Sequence, residues 1–415
     1  MPNNNFKYPG IKDNKIRVLV QARSDLIINP GGDGVLLDKS SRALAEAGVD
    51  ITVDIEGIKN PRDYDIVHLY NFATPKALSP LAEKAYNLNI PYVVTTLYED
   101  RAQFYGQMHV YLNILYHYVT QGQKPEWKLF EKVAKSNLVE DPTNIINDNI
   151  EIAKHSEALI SSGTNETLLL ARDFSFAKKI YECNFSPSIM PLEPSSTFES
   201  TYQIKDYILS VGRVEARKNQ GMLMAALEND TRPLVIVAGK ISYNPEYEKL
   251  LRNFKRKGRT LFIKNLSPSM LASAYAGARV HALPSWYELP GLVTLEAAAS
   301  GTNVVASFNK GTIENYLGNK VHYCDPGSAD SILNAINNAW NKPKDEELSK
   351  MASMFTWDKT ASQLYNIYEK AISSYHQRTP LKERMEIKKA NPDKKLDYEL
   401  CSRTISRNNI LDLLK

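Results

Sequence analysis

A chain of 415 residues is too long for one compact core of ordinary size, which predicts two or three domains with a cleft between them. Hydrophobic residues make up 43% and charged residues 24%, close to the globular average, which excludes a disordered, collagen-like or coiled-coil chain. The formal charge of +4 belongs to the end of the chain. Residues 376–415 hold ten Lys or Arg and six Asp or Glu, which leaves 41 of each sign in residues 1–375. Nucleic-acid binding needs a concentrated basic face, so this balanced body predicts no nucleic-acid partner.

The sequence shows neither a membrane-spanning run nor a secretion signal. No stretch approaches the roughly 18 uncharged apolar residues that a transmembrane helix needs, and residues 1–5 lack a basic-then-apolar pattern. The three cysteines, Cys183, Cys324 and Cys401, have no CxxC spacing, which disfavours a disulfide framework and a cysteine zinc site. We therefore expect a cytoplasmic protein.

Short apolar strands alternate with helical segments in the first half of the chain. A helix over 35–47 follows the glycine loop that contains Gly31 and Gly32, and Gly48 ends it. This alternation predicts a parallel α/β sheet with right-handed crossovers. Strands are predicted at 16–20, 50–53, 66–69, 91–96, 158–162 and 179–181.

A second α/β series follows a segment rich in Ser and Pro, residues 186–206, which predicts a hinge. Two parallel sheets in succession indicate a ligand held in the crevice at the carboxyl ends of their strands. The strands of this series are predicted at 207–212, 234–239, 260–263, 278–283 and 302–306.

The segment 284–301 has the richest chemistry. Its loop carries Glu288, and a helix is predicted to start near Pro290, a residue suited to a first helical turn. The N–H groups and the dipole at such a start form an anion site that fits phosphate. Glu296, one or two turns later, leans back toward that start and would accept hydrogen bonds from sugar or ribose hydroxyls. The alternative is that Glu288 only stabilises the helix start and that Glu296 is a solvated helix residue.

Two cations follow the first strand of the second series. Arg213 and Lys218 lie just past it, where a forked guanidinium and a compact ammonium would both reach a diphosphate. Their charges would also stabilise a departing phosphate. Taken alone, such a cluster is more often surface charge.

Together these segments resemble the retaining nucleotide-sugar glycosyltransferases of family four, which have the two-domain GT-B fold. The resemblance rests on Gly212, Arg213 and Lys218, on the strand end at Gly239, and on the Glu-x7-Glu motif of Glu288 and Glu296 with the run that follows to residue 306. It is good over about 205–372 and looser before, where the Gly31-Gly32 pair and the segments 65–68 and 91–95 look like the usual landmarks of the acceptor domain.

The resemblance implies a role for each matching residue. Glu288 would be the catalytic residue, holding the transferred sugar, and Arg213 and Lys218 would hold the donor diphosphate. The remaining donor-binding residues would be Glu296 at the ribose, the backbone amides of Gly291 and Leu292, and Gly31 and Gly32 of the first domain. The family generally needs no metal or other cofactor, and a nucleoside-diphosphate sugar is its co-substrate.

The implied architecture is α/β, with two Rossmann-like domains facing each other across a deep cleft. The predicted divisions are an acceptor domain at 1–185, the hinge at 186–206, a nucleotide-sugar donor domain at 207–355, a closing helix at 356–375 that returns to the first domain, and a basic extension at 376–415.

This sequence departs from the family pattern in two places. Many relatives have a histidine just after the strand that ends at Thr96, but residues 97–100 here contain none, so no first-domain catalytic residue is assigned. Leu289-Pro290 replaces the common Gly-Phe, and the proline removes one N–H donor from the ligand loop.

Three other features have competing interpretations. Asp63-Tyr64-Asp65 spells a DxD metal motif but precedes its strand, on the wrong side for a ligand site. His68 is either a cleft base or a buried, hydrogen-bonded histidine. The aromatic stretch 104–118 is interpreted as core or domain-interface packing, with an acceptor groove or a peripheral membrane contact as the alternative.

The sequence thus predicts a retaining glycosyltransferase of glycan or glycoconjugate biosynthesis, such as polysaccharide synthesis. It would move a sugar from a nucleoside diphosphate to a hydroxyl of a glycan, lipid-linked or protein acceptor. The alternatives are a GT-B phosphorylase, a sugar-nucleotide epimerase and a non-catalytic carbohydrate-binding subunit. The donor base, the sugar and the acceptor stay open.

Overall fold

The computed structural model describes residues 15–28, 31–125, 127, 131–132, 144–188, 193–239, 244–308 and 311–379. Within them the first half of the chain forms one six-stranded sheet in which every pairing is parallel. Three of its inner strands are buried end to end, as expected for a sheet covered by helices on both faces. Its strands are β1 (Arg17–Gln21), β2 (Asp50–Val53), β3 (Ile66–Tyr70), β4 (Tyr92–Thr95), β5 (Ala158–Ser161) and β6 (Ile180–Glu182).

The second half forms another six-stranded sheet, again parallel in every pairing. The prediction of two consecutive parallel α/β sheets is therefore confirmed, although the last strand, an edge strand, is missing from the sequence prediction. The strands are β7 (Ile208–Val211), β8 (Leu234–Ala238), β9 (Thr260–Lys264), β10 (Val280–Leu283), β11 (Asn303–Ser307) and β12 (His322–Cys324).

Helices connect the strands of both sheets. In the first half they are α1 (Gly32–Glu46), α2 (Pro75–Asn87), α3 (Ala102–Gln121), α4 (Ile145–His155) and α5 (Thr164–Asp173). In the second half they are α6 (Ser195–Tyr202), α7 (Gln220–Ala226), α8 (Pro245–Asn253), α9 (Pro268–Gly277), α10 (Leu292–Ala299), α11 (Ile313–Leu317), α12 (Ala329–Trp340), α13 (Glu346–Ser353) and α14 (Trp357–Arg378).

The strand order of each sheet fixes where a ligand site belongs. The first sheet runs β2-β1-β3-β4-β5-β6 and the second β12-β11-β10-β7-β8-β9. Sequential strands depart in opposite directions from β1 and β3 in the first sheet, and from β7 and β10 in the second. A crevice opens at such a switch point, at the carboxyl ends of the strands.

Two helices pack on the opposite half of the molecule from the segments next to them in sequence. Helix α3 follows β4, yet its buried Tyr111 and Leu115 join the apolar cluster of Met222 and Leu223 under the second sheet. Helix α14 ends the described chain, yet Leu364 and other buried residues on it join the cluster under the first sheet. The prediction that the aromatic stretch 104–118 packs in a core or interface is confirmed.

The segment predicted as an irregular hinge contains a helix. Helix α6 lies within 186–206, and its Phe198 is fully buried in the cluster with Tyr207. The Ser- and Pro-rich composition concealed an eight-residue helix, whose Phe198 and Tyr202 rings lie 4.6 Å apart and pack on the same cluster. The basic extension at 376–415 lies outside the described residues from 380 onward, and the predicted domain limits stay predictions.

Candidate functional site

The predicted lysine and glutamate meet at the switch point of the second sheet. Lys218 follows β7 and Glu288 follows β10, and the Lys218 Nζ donates a hydrogen bond to the Glu288 Oε1. The side chains are 10% and 17% exposed, so the pair is largely withdrawn from solvent. Because β7 and β10 are neighbours, residues 70 positions apart in sequence face each other here.

Arg217 joins this pair, although the sequence analysis did not single it out. Its guanidinium lies 2.8 Å from Glu215 Oε1 and 3.7 Å from Glu288 Oε1, and it donates to the Tyr287 carbonyl at 3.3 Å. It also stacks over the Tyr287 ring, 5.1 Å from the centroid. No sequence signal distinguishes Arg217 from a surface arginine, since Tyr287 and Glu288 lie in a loop that only the fold brings close.

Burial and neighbouring charges set the ionisation of this cluster. Burial disfavours the charged form of Glu288, but Lys218 and Arg217 outweigh it and hold the pKa of that carboxyl below its usual value. For Lys218 burial dominates over the attraction of Glu288, so its pKa lies below that of a free lysine. Glu288 is thus an ionised acceptor at neutral pH.

The helix beside Glu288 starts two residues later than predicted. Pro290 is outside it, and α10 begins at Leu292 after Gly291, whose φ of 77° lies in the left-handed region that favours glycine. Thr294 N donates to Gly291 O at 2.9 Å, so bonding within the helix starts there. The N–H groups of the turn before it therefore remain for a ligand, as at other helix starts.

Gly311 holds the loop of Glu288 from the other side. The two residues form an isolated parallel bridge, and a Cβ on Gly311 would lie 1.8 Å from the Glu288 carbonyl oxygen. The first half of the chain reaches the same point, since Asn165 Nδ2 donates to the Gly311 oxygen at 2.8 Å. The backbone at Glu288 is therefore fixed by both halves of the molecule.

Glu296 is buried, which excludes the alternative of a solvated helix residue. It is 5% exposed, and Tyr275 donates its hydroxyl to Glu296 Oε2 at 2.9 Å. Burial raises the pKa of Glu296 to about 7, against hydrogen bonding from Tyr275. Tyr275 was not predicted, because it is 21 residues away and only the α9–α10 packing brings it near.

Arg213 crosses the cleft toward the glycine pair of the first half. A Cβ on Gly31 would lie 3.8 Å from Arg213 Nη1 and 2.7 Å from Asp33 Oδ1, so a side chain there would fill the approach. Gly32 is the first residue of α1, and a Cβ added to it would have no atom within 4 Å. The Asp33 carboxylate accepts hydrogen bonds from Arg23 Nε at 2.9 Å and from Asn71 Nδ2 at 3.0 Å. This arrangement at the switch point of the first sheet was not predicted from the sequence.

A small cavity within the second half of the chain lies beside Glu288. The cavity that Glu288, Gly291 and Gly311 border measures about 10 Å³, close to the space of one water. Leu292 at the start of α10 packs into the apolar cluster of the first half. A ligand of sugar-nucleotide size needs several hundred Å³, so this small cavity alone does not hold one.

The remaining candidates lie elsewhere. His68 is fully buried and bonds the Tyr368 hydroxyl at 2.7 Å and the Thr95 hydroxyl at 2.8 Å, and burial lowers its pKa to about 3, so the interpretation as a buried histidine is confirmed. Asp65 pairs with Arg17 at 2.7 Å at the amino end of its strand, away from the crevice. Among the described residues no group of three or more His, Cys, Asp or Glu is placed to hold a metal, and no helix is long and apolar enough to cross a membrane.

Comparison with known proteins finds a family match in the second half of the chain. Residues 197–354 match the family model described as Glycosyl transferases group 1. The D-inositol 3-phosphate glycosyltransferase of Corynebacterium kroppenstedtii is 33% identical over 182 residues, which are 40% of this chain and 40% of that protein. The enzyme of the same description from Streptosporangium roseum is 24% identical over 408 residues, which are 83% of this chain and 90% of that protein. The stronger match thus spans less than half the length of its relative.

Solved structures share the whole architecture. The sucrose-phosphate synthase of Thermosynechococcus elongatus has a TM-score of 0.65 at 17% identity, over 86% of this chain and 100% of that one. The HepE protein of Anabaena in complex with UDP-glucose has a TM-score of 0.55 at 15% identity, over 90% and 98%. At these identities the likeness shows the fold alone. The predicted GT-B fold is confirmed.

Proposed function

We propose that this chain, which contains a Glycosyl transferases group 1 domain over residues 197–354, is a retaining glycosyltransferase that uses a nucleoside-diphosphate sugar. The observation that carries the proposal is the meeting of Lys218, Arg217 and Glu288 at the switch point of the second sheet. Cations and an ionised carboxylate beside a helix start suit a ligand that is anionic at one end and rich in hydroxyls at the other.

The diphosphate would lie between the cations and the start of α10. Lys218 would exchange Glu288 for a phosphate oxygen, Arg213 would add a forked contact, and the amides of Gly291 and Leu292 would donate from the helix start. The small gap at Gly31 and Gly32 would let the backbone of the first half come close to the donor. These cations already supply the positive charge that a leaving diphosphate needs, so the proposal requires no metal ion.

The two glutamates would bind the two sugars of the donor. Glu288, ionised and fixed at its backbone, would accept hydrogen bonds from the transferred sugar and stabilise the positive charge that develops at its anomeric carbon. Glu296, with Tyr275 behind it, would accept from the ribose hydroxyls. Closure of the halves would then exclude water from a donor that water would hydrolyse.

The neighbours support the substrate class. HepE of Anabaena was solved with UDP-glucose, and the starch synthase IV of Arabidopsis thaliana was solved with ADP and acarbose. We extend from them to this chain a nucleotide-sugar donor and a carbohydrate-containing acceptor. A glycan, lipid-linked or protein acceptor in polysaccharide or glycoconjugate synthesis fits the proposal, and the acceptor defines the product.

A donor screen followed by product analysis tests the proposal. UDP-, GDP- and ADP-sugars are compared for the rise in melting temperature that they give the protein. The stabilising donor is then incubated with and without acceptors, and sugar transfer with retained anomeric configuration is the expected product. A free sugar phosphate or an epimerised donor would instead indicate a phosphorylase or an epimerase.

Glu288→Gln is the matched variant for this experiment. The amide keeps the shape of the side chain but loses its charge, so we expect donor stabilisation to persist and transfer to fall about 10²–10³-fold. Undiminished transfer would remove Glu288 from the mechanism. Absence of stabilisation by all three donor types in the wild-type protein would overturn the function itself.

A further inference from the structure

The start of helix α5 is held at the carboxyl edge of the first sheet. Glu166, itself 1% exposed, accepts from the Ser162 backbone N–H at 2.7 Å and from the Ser162 hydroxyl at 2.8 Å. The same carboxyl accepts from the Thr96 hydroxyl at 2.5 Å and from the Tyr98 N–H at 2.7 Å, just beyond the end of β4. This buried network fixes the turn that leads into the helix.

The turn before α5 also contacts the segment 311–316 of the second half. The Tyr316 hydroxyl donates to the Ser162 carbonyl at 2.9 Å and accepts from the Phe185 N–H at 2.8 Å. The Thr312 hydroxyl lies 3.3 Å from the Ser162 hydroxyl. Thr312 is 0% and Tyr316 is 2% exposed, so this contact is a packed junction between the two halves of the chain.

Asn165, in the first turn of α5, connects this junction to the loop of Glu288. Its Nδ2 donates to the Gly311 carbonyl oxygen at 2.8 Å and to Glu314 Oε2 at 3.2 Å. The two N–H bonds of the amide thus match two acceptors. The Asn165 backbone N–H donates to Asn315 Oδ1 at 3.2 Å. Gly311 in turn forms the backbone bridge with Glu288, in a contact too close for a Cβ.

We propose that Asn165 is a positioning residue for sugar transfer, which acts on Glu288 through the Gly311 peptide. The inference rests on the function proposed above. There Glu288 stabilises charge at the anomeric carbon, an effect that depends on where its carboxylate lies. The carbonyl that Asn165 holds belongs to the residue bridged to the Glu288 backbone, so loss of this bond lets the Glu288 loop shift. Arg213 and Lys218, which would hold the diphosphate, lie on a different loop, after β7.

Asn165→Ala should therefore lower kcat and leave donor binding unchanged. We expect a fall of about 10–100-fold in kcat, because a small misplacement of a group that acts in the transition state has an effect of this size. KM for the donor and the affinity for UDP, GDP or ADP should stay at their wild-type values. Steady-state transfer from the UDP-, GDP- or ADP-sugar that stabilises the protein measures the first two, and titration calorimetry with the nucleotide measures the third.

Asn165→Asp is the second variant. It keeps the shape of the side chain but turns a carboxylate toward the Gly311 carbonyl and the Glu314 carboxylate, which the amide nitrogen now faces. Its loss of kcat should be at least as large as that of Asn165→Ala. A weakened nucleotide affinity with unchanged kcat in both variants would overturn the inference.

Two neighbouring variants serve as controls. Asn315→Ala removes a hydrogen bond between the halves but leaves the Asn165–Gly311 bond in place. Thr164→Ala removes an exposed hydroxyl of the same helix turn, which donates to Glu182 Oε2 at 3.4 Å within the first half. Both should keep the wild-type kcat. If Asn315→Ala lowers kcat as much as Asn165→Ala does, the effect is a general loosening of the junction and the proposed role is wrong.

A double-mutant cycle tests whether Asn165 acts through Glu288. In the Glu288→Gln background the charge that Asn165 positions is already gone, so adding Asn165→Ala should cause no further loss of kcat. A merely structural role would lower kcat by the same factor in both backgrounds. Two losses that multiply would therefore contradict the inference.

Two outcomes separate this inference from the proposed function. If the wild type transfers sugar and Glu288→Gln is impaired, but Asn165→Ala has the wild-type kcat, the function stands and the role of Asn165 fails. If the wild type transfers sugar from none of the three donor types, or if Glu288→Gln transfers as fast as the wild type, the proposed chemistry of Glu288 fails and the role of Asn165 fails with it.

Discussion

Lys218 and Glu288 are bonded to each other at the point where the diphosphate and the sugar of a donor would meet. The pair brings a cation and a carboxylate together in one largely buried place. A donor phosphate would replace the carboxylate as the partner of Lys218, and the released Glu288 would be left for the sugar. The ion pair therefore protects both charges from burial without a partner until a ligand arrives.

Lys218→Ala should weaken nucleoside-diphosphate binding by about 10–100-fold, the value of one hydrogen bond between charged groups. Lys320→Ala is the control, because it changes the net charge by the same amount. Lys320 pairs with Asp345 and Glu347 beside the amino end of β12. Titration calorimetry with the donor nucleotide measures both variants. Equal affinity of Lys218→Ala and the wild type would refute the contact.

Glu296→Gln should stabilise the protein at alkaline pH. The pKa of Glu296 rises from 4.5 to about 7 on folding, so between these values the folded chain holds a proton that the unfolded chain has released. The free energy of unfolding therefore falls as the pH rises through this window, and a neutral amide removes the loss.

The measurement for Glu296 is the melting temperature from pH 4.5 to pH 8. The difference between Glu296→Gln and the wild type should be near zero at the acid end and at least about 2 °C at pH 8. A difference that is independent of pH would show that Glu296 ionises normally in the folded protein.

Gly221→Ala should destabilise the protein by about 1–3 kcal/mol. The new Cβ would lie 1.8 Å from the Tyr111 hydroxyl and 2.8 Å from Leu115 Cδ2, and both residues are fully buried on α3. Tyr111→Phe in the same chain removes the nearest atom and should restore part of the loss.

Denaturant unfolding tests the glycine, with Gly239→Ala as the control, since no atom lies within 4 Å of a Cβ there. If Tyr111→Phe stabilises the Gly221→Ala variant but not the wild-type protein, the strain lies between α3 and α7. A Gly221→Ala variant as stable as the wild type would contradict the packing of α3 on the second half.

Transfer activity should survive a chelator. The positive charge at the proposed donor site comes from Arg213, Arg217 and Lys218, so the leaving diphosphate has partners without an ion. The assay compares the initial rate with and without EDTA, followed by addition of excess Mg²⁺. Complete loss with EDTA and recovery with Mg²⁺ would bring Asp63 and Asp65 back as metal ligands.

The strands other than β12 could be predicted because they are short apolar runs, several of them buried on both faces. β3 over Ile66–Tyr70 and β11 over Asn303–Ser307 lie within one or two residues of their predicted positions. The meeting of Lys218 and Glu288 follows from the same pattern, because parallel strands bring their carboxyl ends to one edge.

The parts that the sequence did not predict depend on contacts between distant segments. Tyr275 reaches Glu296 only through the packing of two helices, and Arg217 reaches Glu288 only because their loops follow neighbouring strands. Helix α6 was missed because Phe198 is its only buried residue, and one buried residue gives no periodic pattern. The start of α10 was misplaced because a helix-favouring proline precedes a glycine whose backbone the helix cannot include.

The exchange of α3 and α14 between the halves has a consequence for recombination with related enzymes. Residues 102–121 come early in the chain, yet they complete the core under the second sheet, and residues 357–378 come late and complete the first. In a chimera joined at the segment between the sheets, each sheet would therefore be covered by a helix from the other parent protein. Crossover points chosen so that each covering helix comes from the same parent as the sheet it covers would preserve the native packing. The resulting parts would be interchangeable modules.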